Sequence, residues 1–148
     1  MTDRFLSAQL ITLLTAVQDE LIPKEDGMPA AGSIGGARTV DAFLRERAEL
    51  YEPITVALDA IETATEHLPF LQRSSEERVD VLKHAELAAP EAFAELVRQT
   101  YNAYYTQPEI QAKLGVDRAP QPAGFELPSF DPSRLARVRT MGKLWRDA

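Results

Sequence analysis

The chain contains no cysteine, which excludes disulfides, thiolate metal sites and a cysteine nucleophile together. It leaves the redox compartment open. Histidine is scarce as well. His67 and His84 are the only two, and neither has a ligand partner at i+3 or i+4. A metal site would need a further nitrogen or a tight carboxylate group beside one of them. No run approaches the roughly 18 apolar residues that a spanning helix requires, so the chain is expected not to cross a bilayer. Positive charge is in the minority, with 16 Lys and Arg against 23 Asp and Glu and a formal net charge of −7. Nucleic acid is excluded as a partner on that ground, because phosphate binding needs a basic surface.

What remains is an ordinary globular composition. The chain has 148 residues, 45% of them hydrophobic, enough for one domain with its own core. The ten prolines are clustered. Pro23 and Pro29 form one group, and Pro108, Pro120, Pro122, Pro128 and Pro132 another. The charge is also uneven. Arg134, Arg137, Arg139, Lys143 and Arg146 share the stretch 134–146 with no acid, so a basic element follows an acidic body. Such a helix can meet a membrane surface or an acidic partner.

Hydrophobic spacing reads as helix along most of the chain. Ser7 caps a first helix whose stripe is Leu10, Ile11, Leu14, Val17, Leu21 and Ile22, and Pro23 stops it. Lys24 to Ala37, with Gly27, Gly32, Gly35, Gly36 and Pro29, is expected to be an irregular loop that a partner's surface orders. Thr39 is the expected cap of a second helix through Val40, Phe43, Leu44 and Leu50. Pro53 is expected to open a third through Ile54, Leu58 and Ile61. Ser74 and Glu77 have capping-box spacing for a fourth helix carrying Val79 and Leu82. Pro90 starts a fifth through Phe93, Leu96, Val97 and Tyr101, ending near Tyr104 and Tyr105. Pro108 opens a short sixth that Gly115 closes. Arg118 to Pro128 cannot be helix, because its prolines remove donors and block the turn. Asp131 caps a last helix from Pro132, with Leu135, Val138, Met141, Leu144 and Trp145 near one stripe. The expectation is an all-α fold, a compact helical domain of about six or seven helices, with no sheet. Residues 1–115 form the helical body. Residues 116–148 form an extended proline-rich arm plus a basic amphipathic helix, within the same domain or as a partner-wrapping tail.

Few residues suggest catalysis. The two histidines read as surface groups near helix C-termini, where the dipole favours a cation. Glu76 with Glu77, and Glu62 with Glu66, have the spacing of acid–base pairs, but they fall on the wet faces of amphipathic helices. Gly32-Ser33-Ile34-Gly35-Gly36 lacks the lysine of a phosphate loop and the strand that a dinucleotide fingerprint requires. Tyr101, Tyr104 and Tyr105 lie on neighbouring positions of one helix, and core packing and an interface account for them equally well. No catalytic, cofactor-binding or metal-binding residue is assigned in this chain.

Three groups of residues carry a family resemblance. The first is Asp19-Glu20-Leu21-Ile22-Pro23, with Pro29-Ala30-Ala31-Gly32 and Phe43-Leu44 after it. The second runs from Thr100 through Tyr101, Asn102, Ala103, Tyr104, Tyr105, Thr106 and Gln107 to Pro108, and leads to Leu114-Gly115. The third is Ala119-Pro120-Gln121-Pro122-Ala123-Gly124-Phe125-Glu126, then Val138-Arg139 and Trp145-Arg146. In this succession the chain resembles the gluconate 2-dehydrogenase subunit 3 family, the small subunit of bacterial FAD-dependent sugar and polyol dehydrogenases. The resemblance implies a non-catalytic subunit that binds, stabilises and matures a large oxidoreductase of the glucose–methanol–choline type. That partner would hold the FAD and oxidise a sugar, glycoside or polyol hydroxyl, with a cytochrome as a candidate electron acceptor. The residues expected at the partner contact are Ile22, Pro23, Tyr104, Tyr105, Pro120, Pro122, Phe125 and Trp145. Small subunits of this family often carry a twin-arginine signal, and none precedes Ser7 here. A cytoplasmic complex is the expectation, with a periplasmic one the alternative if the partner carries the signal or one was removed. A stand-alone helical binding or regulatory module is the rival function, and it predicts that residues 24–37 are ordered without a partner. A small enzyme using the tyrosines and His84 is a third, which needs those side chains to converge.

Overall fold

The computed structural model of the chain describes residues 5–116, 131–136, 140 and 141. Six helices make up the body: α1 (Ala8–Leu21), α2 (Gly36–Glu46), α3 (Tyr51–Ala64), α4 (Ser75–Ala88), α5 (Pro90–Tyr105) and α6 (Pro108–Lys113). Short 3-10 turns lie at Ala48–Leu50, Phe70–Gln72 and Pro132–Leu135. Among the described residues there is no strand, and one isolated antiparallel bridge joins Glu25 to Met28. The all-α expectation holds.

Local chemistry sets several of the boundaries. Ser7 accepts from the Leu10 amide, and Ile22, the C-cap, ends α1 one residue before Pro23. Ser74 and Glu77 form the full capping box of α4, each side chain accepting from the other's backbone amide. Pro90 and Pro108 occupy first-turn positions of α5 and α6, where a missing N–H costs no intrahelical bond. Gly115, with φ +71, follows Leu114 at the end of α6. Asp131 accepts from the Ser133 amide at 2.9 Å and so caps the turn that begins at Pro132.

Four boundary or face assignments need correction. Helix α2 does not run through Leu50; it ends at Glu46, and Leu50 closes the 3-10 turn that follows. Thr39 is not the cap of α2; the helix begins at Gly36 and Thr39 lies in its second turn. Gly35, in the left-handed region at φ +83, is the N-cap and turns the chain into the helix four residues before the expected cap. Pro53 does not open α3 either. The Ala48–Leu50 turn runs directly into Tyr51, which leaves Pro53 as the third helical residue, still among the positions whose N–H has no partner in the helix. Val79 points outward at 37% exposure, and Val81, Leu82 and Ala85 form the buried face of α4.

The main core joins α1 through α5. Leu14 and Val17 of α1 meet Val40 and Leu44 of α2, Ile54, Leu58 and Ile61 of α3, Leu82 and Ala85 of α4, and Phe93 and Leu96 of α5. Helix α3 packs on α4 and α5, while α2 packs on α1 and α5. A second, smaller cluster lies under the segment between α1 and α2. It consists of Ala31, Tyr104 and Ile110, with Ile22, Met28 and Ile34 against it. That satellite cluster overturns the expectation that the glycine-rich segment needs a partner to order it, because this chain's own α5 and α6 supply the surface.

Candidate functional site

The segment between α1 and α2 is built from short backbone hydrogen bonds. The Ala31 amide donates to the Ile22 carbonyl at 3.1 Å, and the Gly36 amide donates to the Ala31 carbonyl at 3.2 Å. Glu25 and Met28 exchange both of their backbone bonds, at 3.2 and 2.8 Å. Between them Asp26 and Gly27 take φ values of +47 and +80, the left-handed pair of a type I′ hairpin turn. Lys113, at the end of α6, donates through Nζ to the Gly27 carbonyl at 3.1 Å and pins the turn to the body.

The glycine-rich stretch after it has its donors occupied from within. The Ser33 amide donates to the Asp19 carboxylate at 3.2 Å, and the Gly35 amide donates to the Gly32 carbonyl at 3.1 Å. An acidic side chain of α1 thus stands where a phosphate would need to be, so the stretch is not an anion cradle. Gly32 is required by close approach. A Cβ there would run into the Thr15 carbonyl oxygen and come within 2.8 Å of the Asp19 carboxylate.

The end of α5 supplies the other half of the site. Tyr104 is 2% exposed, and its hydroxyl donates to the Pro29 carbonyl at 2.9 Å. Burial is the main cause that raises its phenol above the ordinary value of 10.0, with further contributions from Tyr105 and Glu109. Tyr105 packs edge-on to Tyr104, and Tyr101 lies parallel to Tyr105, one turn earlier. Those two outer rings are exposed. Together the two halves enclose a groove of about 310 Å³ lined by Leu21, Ile22, Pro23, Met28 and the three tyrosines, with Glu25 and Asp26 as its charged groups.

Of the residues expected at a partner contact, Ile22, Pro23, Tyr104 and Tyr105 therefore line one groove, although about 80 positions of sequence separate the two pairs. Tyr104 contributes from beneath, as a buried ring. Pro120, Pro122, Phe125 and Trp145 lie outside the described residues. The sequence reading missed the Asp26-Gly27 turn, for which the Asp-Gly dipeptide is a direct signal. It also missed Lys113, whose bond to Gly27 spans 86 positions.

The histidines are not part of this groove. His67 lines a separate cleft with Glu62 and Glu66, and His84 another with Glu66, Glu77 and Asp80. Among the described residues no three such side chains are placed so as to hold a metal ion together, and none of the described helices is long and apolar enough to cross a membrane. His84 and the tyrosines line two different clefts, so neither of these brings together the side chains that the small-enzyme reading requires.

The sequence model of the gluconate 2-dehydrogenase subunit 3 family matches residues 8–120. The chain belongs to this family. The match takes in α1 to α6 and both segments that build the groove. No curated protein and no solved structure matches the chain. Membership of the gluconate 2-dehydrogenase subunit 3 family makes the chain an accessory subunit of a dehydrogenase complex. A partner surface is the feature to be sought on such a subunit, and the groove between Pro23 and Tyr105 is a candidate for it.

Proposed function

We propose that this chain is the non-catalytic small subunit of a complex whose large subunit is an FAD-dependent oxidoreductase of the glucose–methanol–choline type. The large subunit carries the flavin and oxidises a hydroxyl of a sugar, glycoside or polyol, and a cytochrome receives the electrons. This chain stabilises and matures the flavin-loaded partner by binding its folded form. A ligand at about a thousandfold above its Kd adds roughly 4 kcal/mol to the stability of what it binds.

The observation that carries the reading is the family match across the helical body. The groove supports it. Two stretches far apart in sequence meet at an exposed apolar and aromatic surface, the kind of feature that marks contact sites on small proteins. In this reading Ile22, Pro23 and Tyr105 touch the partner directly and Tyr104 holds the surface in place. Pro120, Pro122, Phe125 and Trp145 extend the contact beyond the described residues.

Affinity capture of the tagged chain from its native cells tests this. A yellow eluate containing a large flavoprotein, with sugar-dependent dye reduction, is the expected result. A colourless chain recovered alone would instead favour a stand-alone binding module. That second reading has one observation of its own, the satellite cluster that orders residues 22–35 without a partner.

A further inference from the structure

The groove between Pro23 and Tyr105 has a chemistry that selects its occupant. We propose that it receives an arginine side chain projecting from the partner subunit. The guanidinium would lie on the paired tyrosine rings, with its N–H groups directed to Glu25 and Asp26. This rests on the accessory-subunit reading for the source of the arginine, and on the groove alone for its chemistry.

Three features argue for it. Tyr101 and Tyr105 are 43% and 48% exposed, and their rings are parallel within 8° at a centroid separation of 6.1 Å. They stack as a pair, and a flat cation is the charged group that an exposed ring of such a pair attracts. The chain uses the same contact elsewhere, with Arg47 over Phe43 at 5.5 Å and Arg78 over Phe70 at 5.6 Å. Among the described residues no cation covers the tyrosines. The charged residues of the groove are both acids, Glu25 and Asp26, and no ion pair engages them among the described residues. The nearby Lys113 is directed to the Gly27 carbonyl. The turn that presents the two acids is fixed at both ends by backbone bonds, so little is lost in ordering them. Finally, Leu21, Ile22 and Met28 offer an apolar lining for the methylene stem of a long cation.

A sugar would also stack on tyrosine, but its hydroxyls need donors as well as acceptors. The groove offers two carboxylate acceptors, and with the buried Tyr104 hydroxyl committed to Pro29 its side-chain donors reduce to the Tyr101 and Tyr105 hydroxyls. Lysine would bring a compact, strongly hydrated charge that gains less from a flat aromatic face.

The test uses the full chain and needs no partner. Side-chain NMR signals of Tyr101 and Tyr105 are followed during titration with N-acetyl-arginine amide, N-acetyl-lysine amide and glucose. Saturable shifts are expected with the arginine probe, and binding roughly threefold or more weaker with lysine. The pair Glu25→Gln and Asp26→Asn should weaken the arginine response by roughly three- to tenfold, with unchanged circular dichroism. Tyr105→Leu should do the same through the aromatic face. A response that stays linear to high probe concentration, or one that is equal for glucose, overturns the proposal. Capture of a flavoprotein together with a linear arginine response would sink this inference and leave the subunit reading standing. A saturable response with no flavoprotein captured would do the reverse.

Discussion

The Tyr104 hydroxyl and the Pro29 carbonyl are 75 positions apart in sequence and 2.9 Å apart in space. Through this bond the end of α5 holds the loop that forms one wall of the groove. Tyr104→Phe keeps the ring and removes only the donor, leaving a part-buried carbonyl without its partner. The expected loss of stability is about 1–2 kcal/mol, read from the shift of a urea unfolding midpoint at constant slope. No change beyond the error of the measurement would mean that the bond contributes nothing net.

The same residue makes stability depend on pH at the alkaline end. Burial raises the Tyr104 phenol above 10.0, so the folded chain holds this proton more tightly than the unfolded one. Between the two values the unfolded state binds fewer protons, and stability falls as pH rises. The contribution is complete below about pH 9 and is lost from the ordinary tyrosine range upward. Thermal midpoints of wild type and Tyr104→Phe, measured across that range, should converge as pH increases. Parallel curves would remove Tyr104 as the cause.

How much of this was legible beforehand depended on whether the governing contact was local. Ser74 with Glu77, Pro90, and Pro108 with Gly115 act within one turn of their own helix, and each marks an observed boundary. Thr39 failed as a cap because the start of α2 is set by packing. Gly36 sits where a Cβ would lie 2.7 Å from the Gln18 amide oxygen and 2.8 Å from the Ala31 carbonyl, and no local rule contains Gln18. Val79 failed for a related reason. Helix α4 also carries Val81, so two stripes were available, and contact with α3 and α5 selected the other one. The groove was half legible. The residues around Pro23 and Tyr104 stood out as motifs, but their meeting depends on the Tyr104–Pro29 and Lys113–Gly27 bonds, which no spacing within either motif encodes.

Two glycines of the loop separate steric from conformational demand. At Gly32 a side chain would collide with the Thr15 carbonyl and the Asp19 carboxylate, whereas at Gly27 nothing lies within 4 Å and only the φ of +80 is unfavourable. Gly32→Ala should cost about 1–3 kcal/mol or more, as overpacking does. Gly27→Ala should cost about 1–2 kcal/mol from the left-handed backbone alone, and Gly27→Asn less, because asparagine tolerates that region. Denaturant midpoints of the three variants check this order. A rescue of Gly27→Ala by asparagine with none at position 32 is the signature expected.

The capping box of α4 gives the acid limb. Ser74 donates to the Glu77 carboxylate through its amide at 2.8 Å and its hydroxyl at 3.0 Å, and these bonds hold the Glu77 carboxyl below its ordinary 4.5, the backbone one foremost. A lowered folded value means the unfolded state binds more protons. The box therefore stabilises above about pH 4.5 and is lost as pH falls through the folded value. Ser74→Ala removes the cap as well as the bonds to Glu77 and should cost about 1 kcal/mol at neutral pH. Glu77→Gln keeps an amide oxygen that can accept from the Ser74 amide but cannot titrate, so its stability should decline less steeply than wild type below pH 4.5. Unfolding midpoints of the three proteins between about pH 3 and pH 7 decide the matter. Equal acid slopes for wild type and Glu77→Gln would place the acid sensitivity elsewhere in the chain.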